Sequence, residues 1–184
     1  MGTEQQVILV NEKDQPVGTL GKMEAHRLGV LHRAFSVFIF NNKGEMLLQQ
    51  RAMKKYHSPG LWTNTCCSHP FPGETASQAA NRRLTEEMGF TASLQPIFEF
   101  TYRAEFSNGL IEHEYDHVFA GTYDGQVLPN PEEVNDCCYK TLEEIADSLL
   151  THPDKYTPWF KIAFPRIQQW VVQEQGLEKI PVAC

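Results

Sequence analysis

A short polar segment in the first half of the chain carries the residues best suited to chemistry. Residues 61–74 read L-W-T-N-T-C-C-S-H-P-F-P-G-E, so one residue separates Cys67 from His69. Side chains at positions i and i+2 of an extended segment lie on the same face, and Cys66 would face the opposite way. A thiol on the same face as an imidazole indicates a cysteine nucleophile, a metal site, or simply a polar loop.

The cysteines can be read in two ways. A buried cysteine is most often a small apolar side chain, which we expect for Cys66, Cys137 and Cys138. Cys67, beside a cation or a metal, would instead have a tuned pKa and could act as acid, base or nucleophile. A thiol hydrolase needs a free imidazole as its base, so His69 cannot serve there if it binds a metal.

Three histidines and two glutamates offer a mixed nitrogen and oxygen ligand set, which suits Mn²⁺, Mg²⁺ or Zn²⁺. The set is His26, His32, His69, Glu112 and Glu114. The two glutamates share one face of a predicted strand over residues 110–123 with Asp116, and such acids are costly on an apolar strand without a cation. Each histidine could instead satisfy a local hydrogen bond. His57 and His152 compete for the ligand role, whereas His113 and His117 lie on the opposite strand face.

A predicted helix over residues 75–88, ended by Gly89, carries a third motif. Its last turns, R-R-L-T-E-E-M-G-F, resemble the end of the Nudix box, which places Glu74, Arg82, Glu86 and Glu87 at box positions. Ser68 stands where the box has its first glycine, and Arg83 stands where it has a metal-binding glutamate. Acids on one helix face make a Mg²⁺–diphosphate site. An arginine in place of one acid weakens diphosphate hydrolysis while keeping diphosphate binding.

The elements that must position these residues alternate between strands and helices. We predict strands at 7–10, 17–20, 33–40, 46–50, 94–106, 110–123 and 136–140, and helices at 22–28, 75–88, 142–150 and 159–175, the last broken or bent at Pro165. This order predicts an α+β fold, a mixed sheet between helices in an α/β/α arrangement. Without repeats or linkers, residues 1–184 are expected to form a single domain. Residues 179–184 have no readable role.

The composition excludes several classes of protein. A net charge of −7 argues against a nucleic-acid binder. No apolar run is long enough to span a membrane, and no signal peptide is visible, so we expect a cytoplasmic protein. Five cysteines, four of them in adjacent pairs, do not predict a disulfide framework. The basic residues gather in one loop over residues 51–58, where a small phosphorylated ligand could bind.

Four features of the sequence together resemble type I isopentenyl-diphosphate delta-isomerases, over most of the chain. They are the T-N-T-C-C-S-H-P segment, the altered box, the E-H-E strand and the stretch from Lys22 to Ser36. The resemblance implies a Nudix-like fold and an isomerase that interconverts isopentenyl and dimethylallyl diphosphate for isoprenoid biosynthesis. It implies a small-molecule partner, no nucleic-acid or membrane partner, and a monomer or homodimer.

The resemblance also assigns roles to residues. It implies a first ion, Mn²⁺ or Zn²⁺, held by His26, His32, His69, Glu112 and Glu114, and a second, Mg²⁺, which arrives with the substrate at Glu87 and the carbonyl of Cys67. It implies Cys67 and Glu114 as the acid–base pair, Tyr102 beside the glutamate, and Trp159 over the substrate. Lys22, Arg51, Lys55 and Arg83 are the implied diphosphate contacts.

Two other functions stay open at this point. A Nudix pyrophosphohydrolase would release phosphate, and Arg83 is the feature against it. A non-catalytic metal- or nucleotide-binding module would bind Mn²⁺ and diphosphate without turnover.

Overall fold

The structure, a computed structural model, describes residues 5–178 and the side chains of residues 5–174. The tail at 179–184, for which the sequence predicts no role, lies outside this range. The strands are β1 (Gln6–Val10), β2 (Pro16–Gly21), β3 (His32–Phe40), β4 (Met46–Arg51), β5 (Trp62–Thr63), β6 (Cys66–Ser68), β7 (Gln95–Glu105), β8 (Ile111–Thr122) and β9 (Val134–Lys140). The helices are α1 (Lys22–Leu28), α2 (Ala76–Met88), α3 (Leu142–Thr151) and α4 (Pro158–Glu178), with a short 3-10 turn at Pro153–Lys155.

The strands form one mixed sheet with β3 near its centre. β3 runs parallel to β8, from the pair His32–Glu114 to the pair Phe40–Thr122. The other strand pairs are antiparallel, including β7 with β8 and β4 with β9. β3 and β4 pair directly only at Phe40 and Met46, and the short strands β5 and β6 fill the gap between them.

Helices cover both faces of the sheet, because the side chains of β3 alternate. Phe35, Val37 and Ile39 pack against α2 in one core. Phe38 and Phe40 face the other way and pack with residues of α3 and α4 in a second core. The predicted α/β/α arrangement is confirmed.

Of the two alternatives predicted for helix α4, a break at Pro165 does not occur, because the helix continues through this residue. A proline inside a helix removes one backbone hydrogen bond and strains the preceding turn. Phe160, Phe164 and Ile167, on both sides of the proline, are buried in the same core. Packing on both sides of Pro165 therefore stabilises a helix that continues through the proline.

Gly89 ends α2 and explains why a glycine is needed at the end of the box motif. Its φ of 75° lies in the left-handed region, and a Cβ at this position would lie 2.2 Å from the carbonyl oxygen of Leu128. Any side chain would therefore push apart the helix end and the 123–133 connection.

Candidate active site

Sheet register places Glu114 between two of the predicted site residues. Glu114 of β8 pairs with His32 on β3 at one side and with Tyr102 on β7 at the other. All three side chains are buried. Since residues that pair across strands point to the same face, register alone brings the imidazole, the carboxylate and the phenol together.

Two more histidines approach the same point from outside the central strands. His26 lies in the last turn of α1, where its Nδ1 is 2.6 Å from the carbonyl oxygen of Lys22, one turn earlier. His69 directly follows β6, and its Nε2 is 2.8 Å from Glu114 Oε1. Glu112 sits two residues before Glu114, on the same buried face of β8.

The five predicted ligands of the first metal form one buried cluster. One potential ligand atom from each of His26, His32, His69, Glu112 and Glu114 lies within 4.8 Å of every other. A single site therefore contains the whole predicted set.

The hydrogen bonds and unpartnered atoms of this cluster fit a cation. The Nδ1 atoms of His26 and His32 lie 2.6 and 2.8 Å from backbone carbonyl oxygens, so each presents an Nε2 lone pair to the cluster. The His26 Nε2 and Glu112 Oε2 are buried 3.3 Å apart, and neither has a hydrogen-bond partner within residues 5–178. The Nε2 atoms of His32 and His69 are 3.1 Å apart. Lone pairs in this arrangement are costly without a cation, so the residues fit a divalent metal.

The protonation states of His69 and Glu114 agree with metal ligation. Burial, the positive charge of Lys22 and the neighbouring histidines lower the pKa of His69 well below its ordinary value, which keeps its imidazole neutral. Burial alone would raise the pKa of Glu114. The neighbouring His32 and the hydrogen bond from Tyr102 outweigh it, so the pKa of Glu114 is lowered and its carboxylate is ionised.

Cys67 faces this cluster because of the way β6 pairs with β3. Cys66 points into the core under α2, whereas Cys67, opposite Ser36, points to the face that carries the glutamates. Burial raises the pKa of the Cys67 thiol to about 12, although the charge of Arg51 acts against this. The thiol is therefore protonated at neutral pH. Cys66, Cys67, Cys137 and Cys138 are all free.

The polar residues before Cys67 are buried because they replace missing sheet hydrogen bonds. The Thr65 hydroxyl donates to the carbonyl oxygen of Leu47 at 2.7 Å and accepts from the backbone N–H of Ile39 at 3.0 Å, which bridges β3 and β4. The Asn64 amide donates to the carbonyl oxygens of Val37 and Cys66. This network fixes the backbone that carries Cys67 and His69, since buried polar groups without partners would be costly.

Trp159 is held against the same cavity by the start of α4. Thr157, the residue before the first residue of α4, donates its backbone N–H to the carbonyl oxygen of Trp62 and its hydroxyl hydrogen to the Thr63 hydroxyl. Trp159 is buried, and the guanidinium of Arg51 lies 5.2 Å from its ring centre.

The predicted diphosphate contacts line this cavity. The cavity is lined by four cations, Lys22, Arg51, Lys55 and Arg83, together with Cys67, His69, Glu87, Tyr102, Glu112, Glu114 and Trp159. Arg51 is preset by the main chain, because its guanidinium donates to the carbonyl oxygens of His57 and Ser58. Lys55 forms an ion pair with Glu133.

Arg83 and Glu87 neutralise each other on α2. Arg83 Nη2 donates to Glu87 Oε1 at 2.5 Å, and Gln49 donates to the other oxygen of Glu87 at 3.0 Å. The remaining box pair has a structural role, because Arg82 binds both carboxylate oxygens of Glu74 at 2.8 Å and anchors the loop before α2. The altered box thus leaves one buried acid, Glu87, at the cavity.

Two residues at the site were not assigned by the sequence. Gln49 contacts Glu87, and the Nε2 of His57 lies 3.0 Å from Glu112 Oε1. From the sequence, His57 was predicted only as a competitor for a ligand position, and its side chain lies outside the five-residue cluster. The run of polar and basic residues over positions 51–58, which includes His57, was the one sequence signal that could have identified His57 as a site residue.

The remaining histidines lie away from the cluster, as predicted for His113 and His117. His113 contacts the carbonyl oxygen of Gly29, and His117 contacts Asp14 and Glu99 on the outer face of the sheet. His152 is exposed at the end of α3. None of the helices within residues 5–178 combines the length and apolar character that crossing a bilayer requires.

Comparisons with known proteins identify the family of this chain. The model of the NUDIX domain family matches residues 30–160. An isopentenyl-diphosphate Delta-isomerase of Pectobacterium atrosepticum is 51% identical over 90% of this chain and 92% of its own. Proteins of the same name are 49% identical in Aromatoleum aromaticum, over 89% and 87% of the two chains, and 48% identical in Photobacterium profundum, over 93% and 96%.

Solved structures support the fold. A protein of Deinococcus radiodurans is 22% identical, with a TM-score of 0.68 over 80% of this chain and 90% of its own. A MutT protein of Methanosarcina mazei is also 22% identical, with a TM-score of 0.61 over 76% and 94%. The extent of the family match and the identity to the bacterial relatives lead to one conclusion: the chain belongs to the NUDIX family, among its isopentenyl-diphosphate Delta-isomerases.

Proposed function

We propose that this protein interconverts isopentenyl diphosphate and dimethylallyl diphosphate, with Cys67 and Glu114 as its proton-transfer pair. The activity follows from relatives about half identical over most of the chain that carry this name. The observation that supports the pair is that a protonated thiol and an ionised carboxylate line the same cavity as four basic side chains.

Moving the double bond requires adding a proton at one carbon and removing a proton from another. In this cavity Cys67 can donate a proton while Glu114 accepts one, and the two groups exchange roles when the reaction runs in reverse. The Tyr102 hydroxyl donates to Glu114 Oε2 at 2.6 Å, which holds the carboxylate in place.

Protonation of an alkene builds positive charge on carbon, and Trp159 is the group placed to stabilise it. The ring lines the cavity that holds Cys67 and Glu114. A cation over the face of a desolvated tryptophan is stabilised by about 2 kcal/mol.

The basic side chains of the cavity would orient a small hydrocarbon that has few other features to bind. Lys22, Arg51, Lys55 and Arg83 would hold the diphosphate, and this remote binding energy would fix the alkene between the reactive groups. Burial lowers the pKa of Lys22, so a bound anion would favour its charged form.

The chain also offers places for two metal ions. His26, His32, His69, Glu112 and Glu114 would hold Mn²⁺ or Zn²⁺, while Glu87 and the carbonyl of Cys67 would hold a Mg²⁺ that arrives with the substrate. A divalent ion at the first site supplies positive charge that makes the nearby carboxyl–tyrosine pair more acidic and keeps it ordered.

The test is deuterium incorporation during isomerisation. Incubation with isopentenyl diphosphate, Mg²⁺ and D₂O should give deuterated dimethylallyl diphosphate with the native protein and almost none with Cys67→Ala or Glu114→Gln. Cys137→Ala and Glu99→Gln make the same chemical changes on surfaces away from the cavity and should keep native activity. Native turnover in either cavity variant would refute the assigned pair. Release of inorganic phosphate or diphosphate would instead indicate a pyrophosphohydrolase.

A further inference from the structure

The two carboxylates of the metal cluster are held in the same way, each by one partner outside the cluster. Glu114 turns Oε1 toward His69, while its Oε2 accepts a hydrogen bond from Tyr102. Glu112 turns Oε2 toward His26, and its Oε1 lies 3.0 Å from His57 Nε2. His57 therefore contacts the carboxylate oxygen of Glu112 that faces away from the cluster histidines, as Tyr102 does for Glu114.

The His57 ring is fixed on several sides. It is 7% exposed, stacks on Phe106 with ring centres 5.2 Å apart, and meets Trp159 edge-on at 5.6 Å. Its carbonyl oxygen accepts from Arg51 Nη2 at 3.1 Å, which fixes the backbone as well. The ring position is thus set by packing, and the contact with Glu112 does not depend on a mobile side chain.

We infer that His57 is a positioning residue for the metal centre, donating its Nε2 hydrogen to Glu112 Oε1 so that Oε2 alone is presented to the ion. An ionised carboxylate only accepts hydrogen bonds, so the proton of this contact belongs to the imidazole. The inference rests on the proposed metal site and adds a residue outside its five ligands.

The hydrogen bond has two physical consequences. It keeps Glu112 from rotating to offer both oxygens to the metal. It also gives a buried carboxylate oxygen its partner, which otherwise would be unsatisfied. Loss of such an outer partner lowers metal affinity by roughly 10- to 100-fold.

Mn²⁺ binding to the metal-free protein tests this inference without substrate. The protein is freed of metal with a chelator and titrated with Mn²⁺ in a calorimeter. His57→Phe keeps an aromatic ring but cannot donate, and should bind Mn²⁺ about 10- to 100-fold more weakly. His57→Gln places an amide N–H near the same oxygen and should recover most of the loss. His152→Gln, at an exposed position, is the control and should bind as the native protein does.

The absorption spectrum of the Co²⁺-loaded protein gives a second readout. A change in packing alone would not produce the pattern of differences expected for the two His57 variants. The His57→Phe spectrum should differ from the native one, and the His57→Gln spectrum should match it. Circular dichroism checks that each variant is folded, and His57→Leu replaces the phenylalanine variant if that one is not.

Native Mn²⁺ affinity in the folded non-donating variant would overturn the inference. Equal losses in His57→Phe and His57→Gln would also overturn it, because packing and not hydrogen bonding would then be responsible. A protein that binds Mn²⁺ as expected but does not isomerise would refute the proposed activity while leaving the role of His57 intact.

Discussion

Replacing Tyr102 with Phe removes one hydroxyl from the wall of the cavity and should reduce isomerisation strongly. That hydroxyl donates to Glu114 Oε2 at 2.6 Å, and both side chains are buried. A hydrogen bond to a charged group contributes about 1.5–3 kcal/mol. Loss of this energy from the transition state lowers kcat/KM by roughly 10- to 150-fold.

The pH dependence of this variant has a defined sign. Burial raises the pKa of Tyr102 well above its ordinary value, as does the charge of Glu114, so the phenol stays a neutral donor. Burial also raises the pKa of Glu114, and the hydrogen bond from Tyr102 is among those that lower it. Removing that bond therefore raises the pKa of Glu114. The carboxylate then protonates at a higher pH, and the acid side of the kcat/KM profile should move to higher pH.

The assay is the initial rate of dimethylallyl diphosphate formation across the pH range in which the protein is folded. Tyr115→Phe is the matched control, because the Tyr115 hydroxyl donates at 2.7 Å to the exposed Glu99 of the neighbouring strand β7, away from the cavity. It makes the same chemical change and should leave both the rate and the profile unchanged. A Tyr102→Phe enzyme with a native rate and a native acid limb would refute the reasoning.

Three other predictions concern reactivity and stability. The Cys67 thiol, with a pKa of about 12, should react with iodoacetamide at pH 8 about 100- to 1,000-fold more slowly than glutathione does. Modification of Cys67 at the glutathione rate, measured by mass-spectrometric mapping, would contradict this. Removing metal with a chelator should lower the Tm by roughly 5–10 °C, because metal at 100 times its Kd adds about 2.7 kcal/mol to the free energy of unfolding. In scanning calorimetry, the chelator should not lower the Tm of the Glu112→Gln variant. Thr75→Ala removes the hydroxyl that accepts from the Gln78 N–H and should cost about 1 kcal/mol in urea unfolding, whereas Ser77→Ala should not destabilise.

The sequence predicted best what depends on local pattern. Alternation along residues 110–123 placed Glu112 and Glu114 on one face, and the structure shows both buried there while His113 and His117 face outward. The helix over residues 75–88 begins and ends where its Thr75 cap and Gly89 indicate. In both cases the signal lies within a few residues of the feature that it predicts.

The sequence could not predict what depends on distant contacts. The parallel pairing of β3 with β8 sets His32 beside Glu114. The sequence of neither strand indicates which strand it pairs with. The 51–60 loop takes its shape from tertiary contacts, including a left-handed Ser58 at φ 48° and the Arg51 bonds to its main chain. His57 reaches Glu112 only because of that shape. Pro165 shows the opposite case, in which a local helix-breaking signal is overridden by core packing.

The parallel pairing of β3 with β8 also bears on the order in which the molecule folds. His32 and Glu114 are neighbours in the sheet although their positions, 32 and 114, are far apart along the chain. Contacts of this kind require closing a long loop, which costs chain entropy and is slow. We therefore expect the metal ligands on the two strands to meet late in folding. A bound ion would then act mainly by slowing unfolding, with little effect on the rate of folding.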